Sequence, residues 1–234
     1  MTQSVLLNNI DHADLRVETR RGADLGDAVM SAPTFPGEFR QLQAHYPVVF
    51  QKTAEGAFQP VALFGLEPGG NLFLEDGRWD AAYLPLAIER GPFRIGESPE
   101  GPMVHVDLDH PRVRSGGGEA LFREHGGTTE FLERVRSVLL ALREGLYEVP
   151  AFVEVLQRQE LLEPFVLDVR LDDGSQSRLA GFHTIDEERL RGLDGAALGE
   201  LHARGYLEAV YMAVASVSRF RDLIDRLNRR HAPG

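Results

Sequence analysis

The chain has 234 residues, 43% of them hydrophobic and 26% charged, a balance that suits a packed core and excludes an intrinsically disordered chain. A formal net charge of −11 leaves no basic surface in bulk to neutralise a phosphate backbone, so no nucleic-acid partner is expected. With no cysteine, disulfide scaffolds, thiolate nucleophiles, iron–sulfur clusters and cysteine zinc sites are excluded.

Along the chain, Val5, Leu6 and Leu7 form too short an apolar run for a signal peptide before Asn8, Asn9 and Asp11 interrupt it, so a cytoplasmic location is expected. The apolar runs at 138–142 and 209–215 fall short of the ~20 residues of a bilayer-spanning helix, and no membrane span is expected. Pro47-Val48-Val49-Phe50 reads as a strand, Glu55-Gly56 as a turn, and 58–66 as a second strand broken by Glu67-Pro68-Gly69-Gly70. A third strand at 71–74 precedes the Asp76-Gly77 turn and completes an antiparallel meander. Prolines 85, 92, 99 and 102 allow only a short helix within 83–90, with Pro85 in its first turn. Trp79 and Tyr83, four apart, would share one side of a helix that began there. From 103 to 108 apolar and polar residues alternate, the period of a half-buried strand.

The second half changes to helical spacing. Thr128 or Thr129 caps a helix carrying Phe131, Leu132, Val135, Val138, Leu139 and Leu142, which Gly145 is expected to end. Pro150 opens another, stopped by Pro164, and alternating runs around Asp172-Asp173-Gly174 predict a hairpin over 165–182. Asp186 caps a short helix to 193, another covers 196–204 and ends at Gly205, and a last helix runs from 206 towards 230. The expected architecture is one α+β domain. A mainly antiparallel N-terminal sheet fills its strand-rich part at 1–114, and helices pack on it from a helical C-terminal portion at 128–230, with the hairpin inside.

Among chemical constellations, His105, Asp107, Asp109 and His110 are the densest group of metal-ligand types, and alternation puts the first three on one strand face. His110 points away before Pro111, so a polar strand face and turn is the preferred reading and no metal is expected. The glycine-rich stretches lack the lysine and serine of a phosphate loop, and no glycine-flanked serine elbow anchors a hydrolase triad. The arginines from 219 to 230 read as the solvated face and C-terminal end of a helix. Tyr46, Phe73, Trp79 and Tyr83 either line a groove for a peptide or sugar or build the core.

Several stretches together resemble the SapC family of bacterial surface-layer-associated proteins. They are His12 followed by Leu15-Arg16-Val17, then Glu38-Phe39, Tyr46-Pro47-Val48-Val49-Phe50, Pro60-Val61-Ala62-Leu63-Phe64-Gly65-Leu66, Asn71-Leu72-Phe73, Gly77-Arg78-Trp79, Tyr83-Leu84-Pro85 and Arg90-Gly91-Pro92-Phe93. Gly205-Tyr206-Leu207 and the block from Tyr211 to Val217 extend the resemblance almost to the end. Gly91 stands where the family usually has tyrosine, and Glu89 where a basic residue is common. The resemblance implies surface-layer export or assembly and assigns no catalytic residue.

Two functional expectations follow. The first is a non-enzymatic accessory protein whose sheet and 83–90 segment bind a peptide or protein partner, with Tyr46, Trp79 and Tyr83 as aromatic contacts. It needs no cofactor, and a homo-oligomer is compatible with it. The alternative is an enzyme for a small polar or anionic substrate of peptide or glycan metabolism, with or without metal assistance at His105 and Asp107. There His12 is the acid/base, Arg16 and Arg90 hold the anion, and Asn71 or Asp107 orients groups. Both require the N-terminal polar and aromatic residues to meet at an open surface.

Overall fold

The computed structural model describes residues 4–98, 101–114 and 116–231. In chain order the first strands are β1 (Ser4–Leu6), β2 (Arg16–Val17), β3 (Ser31–Pro33), β4 (Val48–Lys52), β5 (Phe58–Leu63), β6 (Leu74–Glu75) and β7 (Arg78–Trp79). They are followed by β8 (Phe93–Ser98), β9 (Gly101–Asp107), β10 (Val113–Arg114) and β11 (Glu119–Ala120), with one-turn helices α1 (Phe39–Leu42) and α2 (Leu86–Glu89) between them. Then come α3 (Glu130–Arg158), the hairpin of β12 (Leu162–Arg170) and β13 (Gln176–Ile185), and helices α4 (Glu187–Arg191), α5 (Gly195–Ala203), α6 (Tyr206–Ser216) and α7 (Phe220–His231). Antiparallel sheets and helices share the chain, the α+β class that its patterning predicts.

The chain folds as two compact units. The first comprises Met1–Ala28, Leu74–Asp80 and Leu86–Glu144, and the second Val29–Phe73, Ala81–Pro85 and Gly145–Gly234. In the first unit the sheets run β1-β9-β8 and β10-β2-β11. Val17, Phe93, Val106 and Leu121 form its core with Leu132, Val135 and Leu139, the apolar stripe that three- and four-residue spacing gives the first half of α3. Thr129 starts that helix by accepting the Leu132 N–H at 3.3 Å.

The second unit is built on a five-stranded sheet of order β12-β13-β4-β5-β3. Phe50 of β4 lies opposite His183, and Phe165 of β12 lies opposite Phe182. His183 and Phe182 are successive, so Phe50 and Phe165 occupy opposite faces of the sheet. Phe50 meets Phe152 of α3 with ring centroids 6.4 Å apart, and Phe165 stacks on Phe220 of α7 at 4.9 Å. Helices therefore back both faces. The Asp186 carboxylate caps α4 as expected and Asp194 caps α5, each accepting the backbone N–H three residues on.

Several local expectations change. α3 runs unbroken through Gly145 and Pro150. Gly145 lies against Phe35, whose ring would stand 2.2 Å from an added Cβ, so the glycine marks a close approach and not a helix end. Pro150 is exposed, and the helix tolerates its missing N–H because Val149, Phe152, Val153, Val155 and Leu156 are buried beneath it. The hairpin begins at Leu162, with Pro164 inside its first strand. Asn71-Leu72-Phe73 is not a strand: the Asn71 side chain accepts the Phe73 N–H at 2.9 Å and folds the segment into a turn, while β3 takes the place beside β5. Trp79 closes β7 opposite Leu74 and helix begins only at Leu86, because proline at 85 disfavours helical backbone at Leu84; Trp79 and Tyr83 thus share no helix. The last helix is broken by a tight turn at 217–219, where the buried Ser216 hydroxyl accepts the Val48 N–H at 2.9 Å and donates to the Ala213 carbonyl at 2.6 Å.

Candidate functional site

In the first unit the polar residues gather around a buried guanidinium. Arg112, 3% exposed, donates to the Glu18 and Arg20 carbonyls at 2.9 and 2.6 Å and to the Asp27 carboxylate at 2.5 Å. Asp27 also accepts the Gly22 N–H at 2.9 Å and faces Arg21 at 3.6 Å. Burial, then the neighbouring Arg112 charge, hold the Arg21 guanidinium below its ordinary value. The turn after β9 places Arg112: the Arg112 N–H donates to His110 Nδ1 at 3.2 Å and the His110 N–H to the Asp107 carbonyl at 3.2 Å. Burial and Arg112 push the His110 imidazole down, partly opposed by Asp107 and Asp27. Asp109 lies in this same turn, past the end of β9, and among the described residues no three histidine, aspartate or glutamate side chains converge as a metal site.

Five of the sequence-predicted residues belong to this unit. His12 is nearly buried and its Nδ1 accepts the Asn8 N–H at 3.2 Å, which ties down the N-terminal loop. Arg16 donates across its sheet to the Gly118 carbonyl at 3.3 Å. Arg90, held below its ordinary value by burial, donates to the Phe93 carbonyl at 3.0 Å, and the buried Asp107 carboxylate accepts the Asp109 N–H at 3.2 Å. Trp79 is half-buried in its hairpin.

The other three lie in the second unit, where two of them meet. The Tyr46 hydroxyl donates to the Tyr83 carbonyl at 2.5 Å, and the Tyr83 hydroxyl donates to the buried Glu38 carboxylate at 3.0 Å, whose other oxygen accepts the Thr34 hydroxyl at 2.6 Å. Tyr46 packs edge-on against Phe64 and Phe73, with centroids 5.4 and 4.7 Å away. Asn71 is buried; its carbonyl accepts from Arg230 at 2.6 Å, while the Arg226 guanidinium sits 4.3 Å over the Phe73 ring. The eight residues thus divide five and three between the units, and each makes local contacts of its own.

Surface features of the second unit lie elsewhere. A cleft of about 400 Å³ is lined by Gln159, Arg189, Leu193, Asp194 and Glu200, and one of about 240 Å³ by Arg40, Glu148, Arg204, Tyr206 and Met212. None of the predicted site residues lines either. Among the described residues β12 is the longest strand at the end of a sheet, nine residues, and its register with β13 shifts between Phe165 and Leu167, where β13 carries the extra residue and Val166 has no one-to-one partner. Sequence reasoning passed over Asp27, Arg112 and this edge, and met Glu38 only within a family-like stretch. Pro164 inside an alternating run was the available signal, since proline in a strand belongs at an edge.

The stretches that suggested a family form much of the second unit's interior: Tyr46 to Phe50, Pro60 to Leu66 and Asn71 to Phe73 are buried without exception. A family model described as SapC matches residues 7–223. No curated protein and no solved structure matches the chain. The match covers most of the sequence, and the chain belongs to the SapC family.

Proposed function

We propose that this chain is a non-enzymatic cytoplasmic accessory protein, linked to cell-surface or outer-membrane processes, that recognises an extended segment of a peptide or protein partner by adding it as a strand beside β12. One observation carries the reading: β12 ends the five-stranded sheet, pairing with β13 on one side and with no other strand among the described residues. An added strand gains backbone hydrogen bonds, each worth ~0.5–1.5 kcal/mol net. Glu163, Pro164, Asp168, Arg170 and the bulge keep such an edge from pairing indiscriminately. Val166, 47% exposed, offers the apolar contact. Tyr83, whose hydroxyl donates to Glu38, and Trp79, in the other unit, are not needed for it. The surface-layer part of the reading is supported by family membership alone.

The test is a selection of random decapeptides against the protein, repeated on Val166→Pro. Val166 pairs one-to-one with no residue of β13, and proline there removes one backbone N–H of β12. The variant is expected to melt like the parent and to bind the selected peptides at least about tenfold more weakly. Undiminished binding by a folded variant would refute strand addition.

A further inference from the structure

We infer that the segment accepted by β12 is cationic, with a lysine or arginine set against the end of the strand at Leu162 and Glu163. This rests on the strand addition proposed above. Glu163 is exposed on β12 opposite Thr184, and the Asp186 N–H donates to the Leu161 carbonyl at 3.0 Å, which sets the start of α4 at this end of the strand; partial burial, then the like charges of Asp186, Glu188 and Glu187, raise the Glu163 carboxyl above the ordinary range. The nearby arginines are already engaged: Arg189 pairs with Glu160 at 3.0 Å and Arg191 with Glu187 at 3.3 Å. Asp186 accepts the Arg189 N–H as a helix cap. Glu163 and Glu188 have no ion pair among the described residues, so a cation arriving with a partner would relieve repulsion that the fold leaves in place.

The opposite end of the edge differs. Asp168 pairs across the hairpin with Arg178 at 3.6 Å, and Arg170 is exposed with no acid bonded to it among the described residues. The charges without an ion pair at that end, among the described residues, are of both signs, Arg170 and the exposed Asp172, and about 23 Å of extended chain separates Arg170 from Glu163. A peptide with a basic residue beside Glu163 meets attraction there, whereas an acidic one meets Asp186, Glu187 and Glu188 besides Glu163.

Three synthetic decapeptides sharing the same alternating valines, with lysine, glutamate or serine at the intervening positions, test this on the full chain. Affinity is read by fluorescence anisotropy and location by amide-exchange protection of 162–170. The lysine peptide is expected to bind at least about tenfold more tightly than the glutamate peptide at low salt, with the gap narrowing in Glu163→Gln/Glu188→Gln and at high salt. Equal affinities with all three peptides protecting β12 would overturn the cationic preference and leave strand addition standing. Absence of protection at β12 with every peptide, including tight binding elsewhere, would overturn both.

Discussion

Arg112 and Asp27 are a charge pair of which neither member tolerates loss of the other. Both side chains are at most 5% exposed, so removing one leaves a buried charge without its counter-ion. Asp27→Ala is expected to destabilise the protein by about 3–5 kcal/mol in denaturant melts, with the first unit most affected. A loss below about 1 kcal/mol would mean that the pair is dispensable. His110 adds a pH dependence. Burial, then the Arg112 and Arg90 charges, partly opposed by Asp107 and Asp27, disfavour its protonation in the folded state, where its Nδ1 accepts the Arg112 N–H. Its folded value lies below the unfolded one, so the unfolded chain takes up the proton first as pH falls. The stability it contributes is complete above about pH 6.5 and declines as pH drops from there towards the lower folded value. His110→Gln should flatten that decline in local exchange of 107–113, corrected for intrinsic rates; an unchanged slope would remove His110 from the account. His45 and His183, also pushed down chiefly by burial, lie in the other unit, which is why a local readout is needed. At this scale the sequence identified residue types that matter but not their partners, because Asp27 and Arg112 stand 85 positions apart.

Elements were legible where local chemistry decides them. The cap at Asp186, the Asp172-Asp173-Gly174 turn and a strand at β9 formed as patterned, although Asp107 is buried and Leu108 and Asp109 fall past the end of that strand. They were misread where packing overrides propensity, above all in α3. Gly145 looks like a helix terminator but is the one residue small enough to pass Phe35. Gly145→Ala, which in a free helix would gain about 1 kcal/mol, is therefore expected to lose about 1–3 kcal/mol in thermal unfolding. A more stable variant would show that Phe35 moves aside freely. The same logic hid the start and the edge position of β12 within the predicted hairpin: Pro164 reads as a stop in isolation and as an edge signal once β13 lies beside it.

At the scale of the whole molecule, each compact unit draws on three separate chain segments, so neither is released by a single cut. Pairings such as β1 with β9 and β4 with β13 join residues far apart in sequence, and no local pattern announces them. Patterning could give the α+β class and the family resemblance could give membership, yet the family-like stretches at 46–50, 60–66 and 71–73 turned out to be interior packing. The candidate recognition edge lies outside those blocks, and no described helix is long and apolar enough to cross a membrane. The most direct measurement is amide hydrogen exchange across the full chain with and without a selected strand-forming peptide. Slowed exchange concentrated in β12 is the predicted result; unchanged exchange there, with protection confined to either cleft or to the first unit, would contradict the account.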